Sequence, residues 1–216
     1  MEVTRSLQPG EAAPNFSLPA IDRDGTVSLT DYRGKAPLLL GLFRGLYCPF
    51  CRRHIAQMSL EREKLLAAGI DTLAIVATKL EHARLYFRFH PARVPLAADP
   101  AMIALRAFSV PKPPITPEVL QACQTIYVDP FRELPEPVPV LEIAGKLNEL
   151  DGYEMNQTDQ EDYQQQGGGG NQLIGRFLID RDGIVRWVDI ECAKNGVADL
   201  GKFSSEDELM AAVRAL

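Results

Sequence analysis

Two cysteines stand three positions apart in the stretch Leu42-Phe43-Arg44-Gly45-Leu46-Tyr47-Cys48-Pro49-Phe50-Cys51-Arg52-Arg53-His54. Thiol chemistry needs a thiolate, because the ionised sulfur is the nucleophile. This spacing and setting favour one. The apolar run Leu38 to Phe43 reads as a strand, and a helical pattern begins at the cysteines. On a first helical turn, positions i and i+3 share a face, so the two sulfurs can meet. The unpaired N–H groups and the positive end of the helix dipole stabilise negative charge there. Such surroundings lower a cysteine pKa from ~8.5 to roughly 3.5–7.5. Arg44, Arg52, Arg53 and His54 flank the pair and act in the same direction. The pattern points to a redox-active dithiol.

Two blander readings compete with it. Half of a zinc site would need further ligands at short spacing. Cys123 and Cys192 are isolated, and His54, His82 and His90 form no pair at ligand spacing, so no metal is expected. Inert buried cysteines behave as small hydrophobes, but the prolyl spacer and basic flanks argue for chemistry. Elsewhere the bland role is the commoner one. His54, one turn into an amphipathic helix, reads as a surface residue before it reads as a thiolate partner. Cys192, after a strand, reads as a passive core thiol before a distant resolving one, and Cys123 likewise. Gly167 to Gly170 lacks the Lys-Ser/Thr of a phosphate loop and reads as flexible chain. Trp187 alternates with Val185 and reads as packing. No cofactor is expected.

The elements that must position the cysteines follow from periodicity. Asn15 to Leu18 reads as a short strand, and Asp24-Gly25 signals a hairpin turn before Val27 and Leu29. After Cys48 a helix runs to about Ala68, with Ile55, Met58, Leu60, Leu65 and Leu66 on its apolar face and Gly69 closing it. Ile70 to Thr78 is a second apolar strand, so Leu38 to Thr78 forms a βαβ unit. Its right-handed crossover puts the cysteines at the carboxyl end of the first strand, where open α/β sheets hold their sites. Helices are predicted near 80–89 and 101–108, with a bent or edge strand at Val94 to Asp99 between them. Ile174 to Asp180 and Ile184 to Glu191 flank Asp182-Gly183 as an antiparallel hairpin. A helix capped by Ser204 or Ser205 closes the chain.

From Pro111 to Asn171 the pattern breaks down. Pro111-Lys112-Pro113-Pro114 and Pro135-Glu136-Pro137-Val138-Pro139 favour extended geometry. A short strand is expected at Thr125 to Val128 and a helix at Val140 to Leu150. Residues 129–166 carry ten acidic and two basic side chains, a net −8 against −6 for the whole chain. The chain of 216 residues thus reads as one domain over residues 1–216, with an acidic insertion at approximately 111–171. Its charge argues against nucleic-acid partners. The first residues carry no apolar leader pattern and no run spans a membrane, so a cytoplasmic protein is expected.

With these elements placed, the chain resembles the peroxiredoxin-like (AhpC/TSA, redoxin) branch of the thioredoxin-fold superfamily. Four segments carry the resemblance. They are Pro9 to Phe16 with Asp31-Tyr32-Arg33-Gly34-Lys35, Arg44 to Arg52, Val94 to Pro100, and Phe177 to Gly183. Together they cover roughly 9–109 and 173–216. The resemblance implies an α/β, thioredoxin-like fold: a central mixed sheet flanked by helices, an N-terminal β extension, and the insertion before the C-terminal hairpin. It implies an antioxidant enzyme reducing peroxides through a dithiol/disulfide cycle of Cys48 and Cys51. Arg44 or Arg176 would stabilise charge on the peroxide oxygens. An external thioredoxin- or glutathione-like thiol would be the reductant, and a homodimer is among the assemblies it allows.

The chain also departs from that pattern. With Cys51 as the attacking thiol, the family's Thr position holds Cys48 and its proline position Arg44; the family's arginine position holds Ile174, with Arg176 two residues on along the same strand face. Which cysteine attacks is left open. A thiol–disulfide oxidoreductase without peroxidase activity and a non-catalytic redoxin-derived sensor remain as alternatives.

Overall fold

The computed structural model describes residues 5–168 and 170–216; Met1 to Thr4, where the leader reading began, and Gly169 of the glycine run lie outside the described residues. The centre is the strand β3 (Leu38–Phe43), all six of whose residues are buried. Its unbroken apolar run follows from its position: a strand covered on both faces has no solvent side to alternate toward.

β3 pairs in parallel with β4 (Asp71–Val76), which pairs in parallel with β5 (Leu96–Ala98). On its other edge β3 pairs antiparallel with β8 (Gly175–Ile179), and β8 with β9 (Val185–Ile190). The sheet order is therefore β5-β4-β3-β8-β9, the mixed sheet expected. The N-terminal extension is a two-stranded hairpin, β1 (Ser17–Pro19) with β2 (Thr26–Ser28). The first strand starts two residues later than the sequence pattern placed it and ends one later.

The two sheet faces bury separate cores. On one lie α1 (Pro49–Ala67), with Ile55, Met58 and Leu65 inward, and α7 (Glu206–Arg214), with Leu209 and Val213 inward. Ala83 of α2 (Leu80–Phe89) joins them. On the other lie the β1–β2 hairpin and α3 (Ile103–Ala107), with Leu18, Val27, Leu105 and Phe108. Ser205 caps α7 in a reciprocal capping box with Glu208.

Gly41 shows how closely α1 seats on β3. A Cβ there would lie 2.7 Å from the Phe43 ring and 2.8 Å from the Met58 sulfur. Gly41→Ala is expected to lower stability by roughly 1–3 kcal/mol through overpacking. An unchanged urea midpoint would show that the contact yields more easily than this.

The segment 111–171 is more ordered than its composition suggests. It holds α4 (Pro117–Thr125), the short pair β6 (Tyr127–Val128) and β7 (Val138–Pro139), α5 (Val140–Asp151) and α6 (Gln157–Gln165). The strand and α5 match expectation; α4 and α6 do not. Both are short, and their apolar stripes are weak. Their starts are set by caps instead: Thr116 with Pro117 next, and Asn156 in a capping box with Asp159. Val140, Ile143 and Leu147 carry α5 into the α1-side core.

Candidate active site

Three distant pieces of chain meet where β3 and β9 end and β8 begins. Leu42, near the end of β3, pairs with Gly175 at the start of β8, and Gly175 pairs with Ile190 at the end of β9. Arg44, Gln172 and Glu191 therefore converge beside the first turn of α1. Gly45, at φ of 144°, makes the bend that a Cβ would block against Tyr47 at 2.8 Å.

Cys48 is the N-cap of α1, Pro49 follows it, and the Cys51 N–H donates to the Cys48 sulfur at 3.4 Å. The sulfur thus takes the place of a capping oxygen, with Pro49 at the position that has no N–H to satisfy. Cys48 and Cys51 are 4% and 0% exposed, and both are free thiols. Burial raises both pKa values. For Cys48 it is overcome by the hydrogen bond from the Cys51 side chain and the Arg44 charge, which bring it down to about 6. For Cys51, burial is reinforced by the bond to Cys48 and by the Cys48 charge, which hold it well above the usual thiol range. The two thiols are pushed apart, Cys48 toward thiolate and Cys51 toward thiol.

Arg44 is the cation that helps to lower Cys48. It is buried, with Nη2 at 2.7 and 2.5 Å from the two Glu191 oxygens and Nη1 donating to the Gln172 carbonyl at 2.8 Å. Glu191 in turn accepts the Gly201 N–H at 2.8 Å. Arg44 Nε has no partner among the described residues. Around it, Gln166 donates to the Arg44 carbonyl and accepts the Tyr47 hydroxyl at 2.9 Å.

The other expected basic residues are engaged elsewhere. Arg52 donates to the Leu46 carbonyl, Asn148 and Asp151, and Arg53 reaches Asp151 and Glu133. They tie α1 to the insertion. The structure does not bring Arg176 to the sulfurs: it pairs with Asp189 at 2.8 Å, lies 3.8 Å from Glu61, donates to the Ser204 carbonyl at 2.8 Å and sits over the Phe203 ring. It shares the α1-side strand face with Ile174, and it projects beside Glu61 of that helix. His54 is not a surface residue. It is buried, donates to the Gly201 carbonyl at 3.0 Å, and burial with the Arg176 charge pushes it down to about 3, so it is neutral.

Glu191, Gln166, Gln172 and Tyr47 escaped the sequence reading. Glu191 had one signal, a carboxylate at the end of an expected strand, but its partner appears only once the β3-β8-β9 register is known. Above Cys48 opens a cavity of about 1180 Å³. Its walls are mostly apolar and include Phe50, Ile115, Leu120, Leu141, Trp187 and Leu200. The insertion supplies much of the wall, and Trp187 lines the cavity instead of only packing.

A family model described as the AhpC/TSA family matches residues 9–136, the cysteine pair included. Two Mycobacterium tuberculosis proteins, from strains H37Rv and CDC 1551 and each provisionally named a peroxiredoxin, are 30% identical over 109 residues, 50% of this chain and 68% of theirs. The reduced 2-Cys peroxiredoxin of Plasmodium vivax superposes with a TM-score of 0.59 at 15% identity, over 96% of this chain and 80% of that one. Peroxidoxin BcpB of M. tuberculosis gives 0.56 at 13% identity, over 97% and 98%. These structural likenesses speak for the fold, which is thioredoxin-like. Fold and family match together define a peroxiredoxin-like enzyme, a thiol peroxidase or thiol–disulfide oxidoreductase. The chain belongs to the AhpC/TSA family. The match runs to residue 136, past the point where the insertion was expected to interrupt it.

Proposed function

We propose that the protein reduces peroxides with Cys48 as the attacking thiolate and Cys51 as the resolving thiol. The observation that carries this reading is the placement of Cys48 as the N-cap of α1, its sulfur accepting the Cys51 N–H, with the buried Arg44 as the nearby cation. The Cys48 thiolate attacks one peroxide oxygen and the O–O bond breaks. The sulfur becomes a sulfenic acid, and the other oxygen leaves as alkoxide or hydroxide and takes a proton from water. Cys51 then condenses with the sulfenic acid, releasing water and forming the Cys48–Cys51 disulfide. An external thiol reduces it by exchange through a mixed disulfide. The free Nε–H of Arg44 is the donor available for charge building on the departing oxygen.

In this reading the chain is one redoxin domain, works in the cytoplasm, and draws electrons from a thioredoxin- or glutathione-like donor. A second reading, disulfide exchange without peroxidase activity, is favoured by the apolar cavity, which is far larger than a hydrogen peroxide molecule requires.

Thiol loss from the fully reduced protein on mixing with hydrogen peroxide separates the two. The expected rate is far above that of a free thiol at the same pH. Cys48→Ser is expected to abolish it, and Cys51→Ser to leave the first oxidation intact. A wild-type rate no better than a free thiol's would move the assignment to disulfide exchange.

A further inference from the structure

The cavity above Cys48 holds two more thiols. Cys123, on α4, and Cys192, in the turn after β9, line it together with Cys48, and α4 packs against the residues 196–199 that follow Cys192. Access divides the four. Cys48 and Cys51 are buried, whereas Cys123 and Cys192 are half-buried. A protein reductant meets the second pair more readily than the first. Cys192 also has a φ of 62°, the left-handed region. Holding a non-glycine residue there is costly, and such strain clusters at functional positions. The preceding residue, Glu191, is locked onto Arg44, so the backbone of Cys192 is anchored one residue from the cation that serves Cys48.

We propose that Cys123 and Cys192 form a second redox pair, which takes over the disulfide of Cys48 and Cys51 across the cavity and presents it to the reductant. The proposal rests on the oxidised Cys48–Cys51 state of the reading above. In the first step the Cys192 sulfur, losing its proton, attacks the Cys48 sulfur. The Cys48–Cys51 bond breaks, a Cys48–Cys192 bond forms, and Cys51 leaves and takes up a proton. In the second step Cys123, losing its proton, attacks the Cys192 sulfur and expels Cys48 as thiolate. Two electrons have passed from the outer pair to the inner, and no other oxidant is consumed.

The chemistry favours this direction. A stabilised thiolate makes its own disulfide more oxidising, and in the second step the low-pKa Cys48 is the better leaving group. Cys48 is held at about 6; burial, with the Glu191 charge next, pushes Cys192 up to about 12, and burial raises Cys123. The disulfide should therefore come to rest on the outer pair.

The test is a timed oxidation of the reduced full-length protein with one equivalent of hydrogen peroxide, quenched by thiol alkylation and mapped by peptide mass spectrometry. A Cys48–Cys51 disulfide is expected first, then a Cys123–Cys192 disulfide as Cys48 and Cys51 regain alkylation. Cys192→Ser should leave the inner disulfide in place. Cys123→Ser should stop at either the inner disulfide or the Cys48–Cys192 mixed disulfide. Should peroxide leave the inner pair reduced, that counts against the peroxidase reading alone, and diamide installs the inner disulfide for the same time course. An inner disulfide that persists in the wild type while Cys123 and Cys192 stay fully alkylatable overturns the relay.

Discussion

Replacement of Arg44 by methionine is expected to lower the stability of the reduced protein by about 3–5 kcal/mol, the usual result of leaving one buried charge without its partner. Arg44 and Glu191 are 3% and 0% exposed at the side chain, so water cannot take over for the missing guanidinium. The same substitution removes a positive charge that lowers the Cys48 pKa, and the thiol should titrate higher than about 6. The two effects can be separated. Glu191→Gln added to Arg44→Met removes the orphaned carboxylate yet keeps an oxygen to accept the Gly201 N–H, which now lies 2.8 Å from Glu191. Most of the lost stability should return in the double variant, while Cys48 should remain less acidic than in the wild type. Urea unfolding reads the first quantity and the ultraviolet absorbance of the thiolate reads the second. If Arg44→Met unfolds at the wild-type urea concentration with an unaltered Cys48 titration, the ion pair is not what organises this site.

That dependence explains what could be read from the chain alone. The cysteine pair, its place at the end of β3 and the βαβ unit were legible because each is local: an apolar run, a Cys-x-x-Cys, an amphipathic helix ending before Gly69. Arg44 was legible for the same reason, four residues from Cys48. Glu191 and Gln172 were not, because they reach Arg44 only through the register of three strands that are remote in sequence. Arg176 failed in the opposite way. Strand alternation assigned its face correctly, but alternation carries no information on which point along α1 that face meets. His54 was misjudged because the surface that covers it, from Gly201 and Phe203, arrives from the far end of the chain. The insertion hid two helices whose starts depend on caps, since periodicity detects apolar stripes and these helices have weak ones.

Alkylation of reduced Cys48 by iodoacetamide is expected to be half-maximal near pH 6, against ~8.5 for an unperturbed thiol. Stability must follow the same ionisation. A folded pKa below the unfolded one means that the unfolded thiol holds its proton over a range where the folded one has lost it. The Cys48 contribution is therefore present in full above ~8.5 and is lost as pH falls through about 6. Cys51 runs the other way. Its raised pKa keeps the folded thiol protonated while the unfolded one ionises, so its contribution declines as pH rises beyond ~8.5. The pair together should stabilise most near that crossing. The check is the difference in unfolding free energy between wild type and Cys48→Ser, measured as a function of pH on fully reduced protein. It should widen from pH 6 upward, and a flat difference would contradict the thiolate assignment. Glu191→Gln gives the sign an independent test. The Glu191 charge raises the Cys48 pKa, so its removal should move the alkylation midpoint further down, opposite to the shift from Arg44→Met. Two substitutions in one ion pair then displace one titration in opposite directions, which a general loosening of the site would not do.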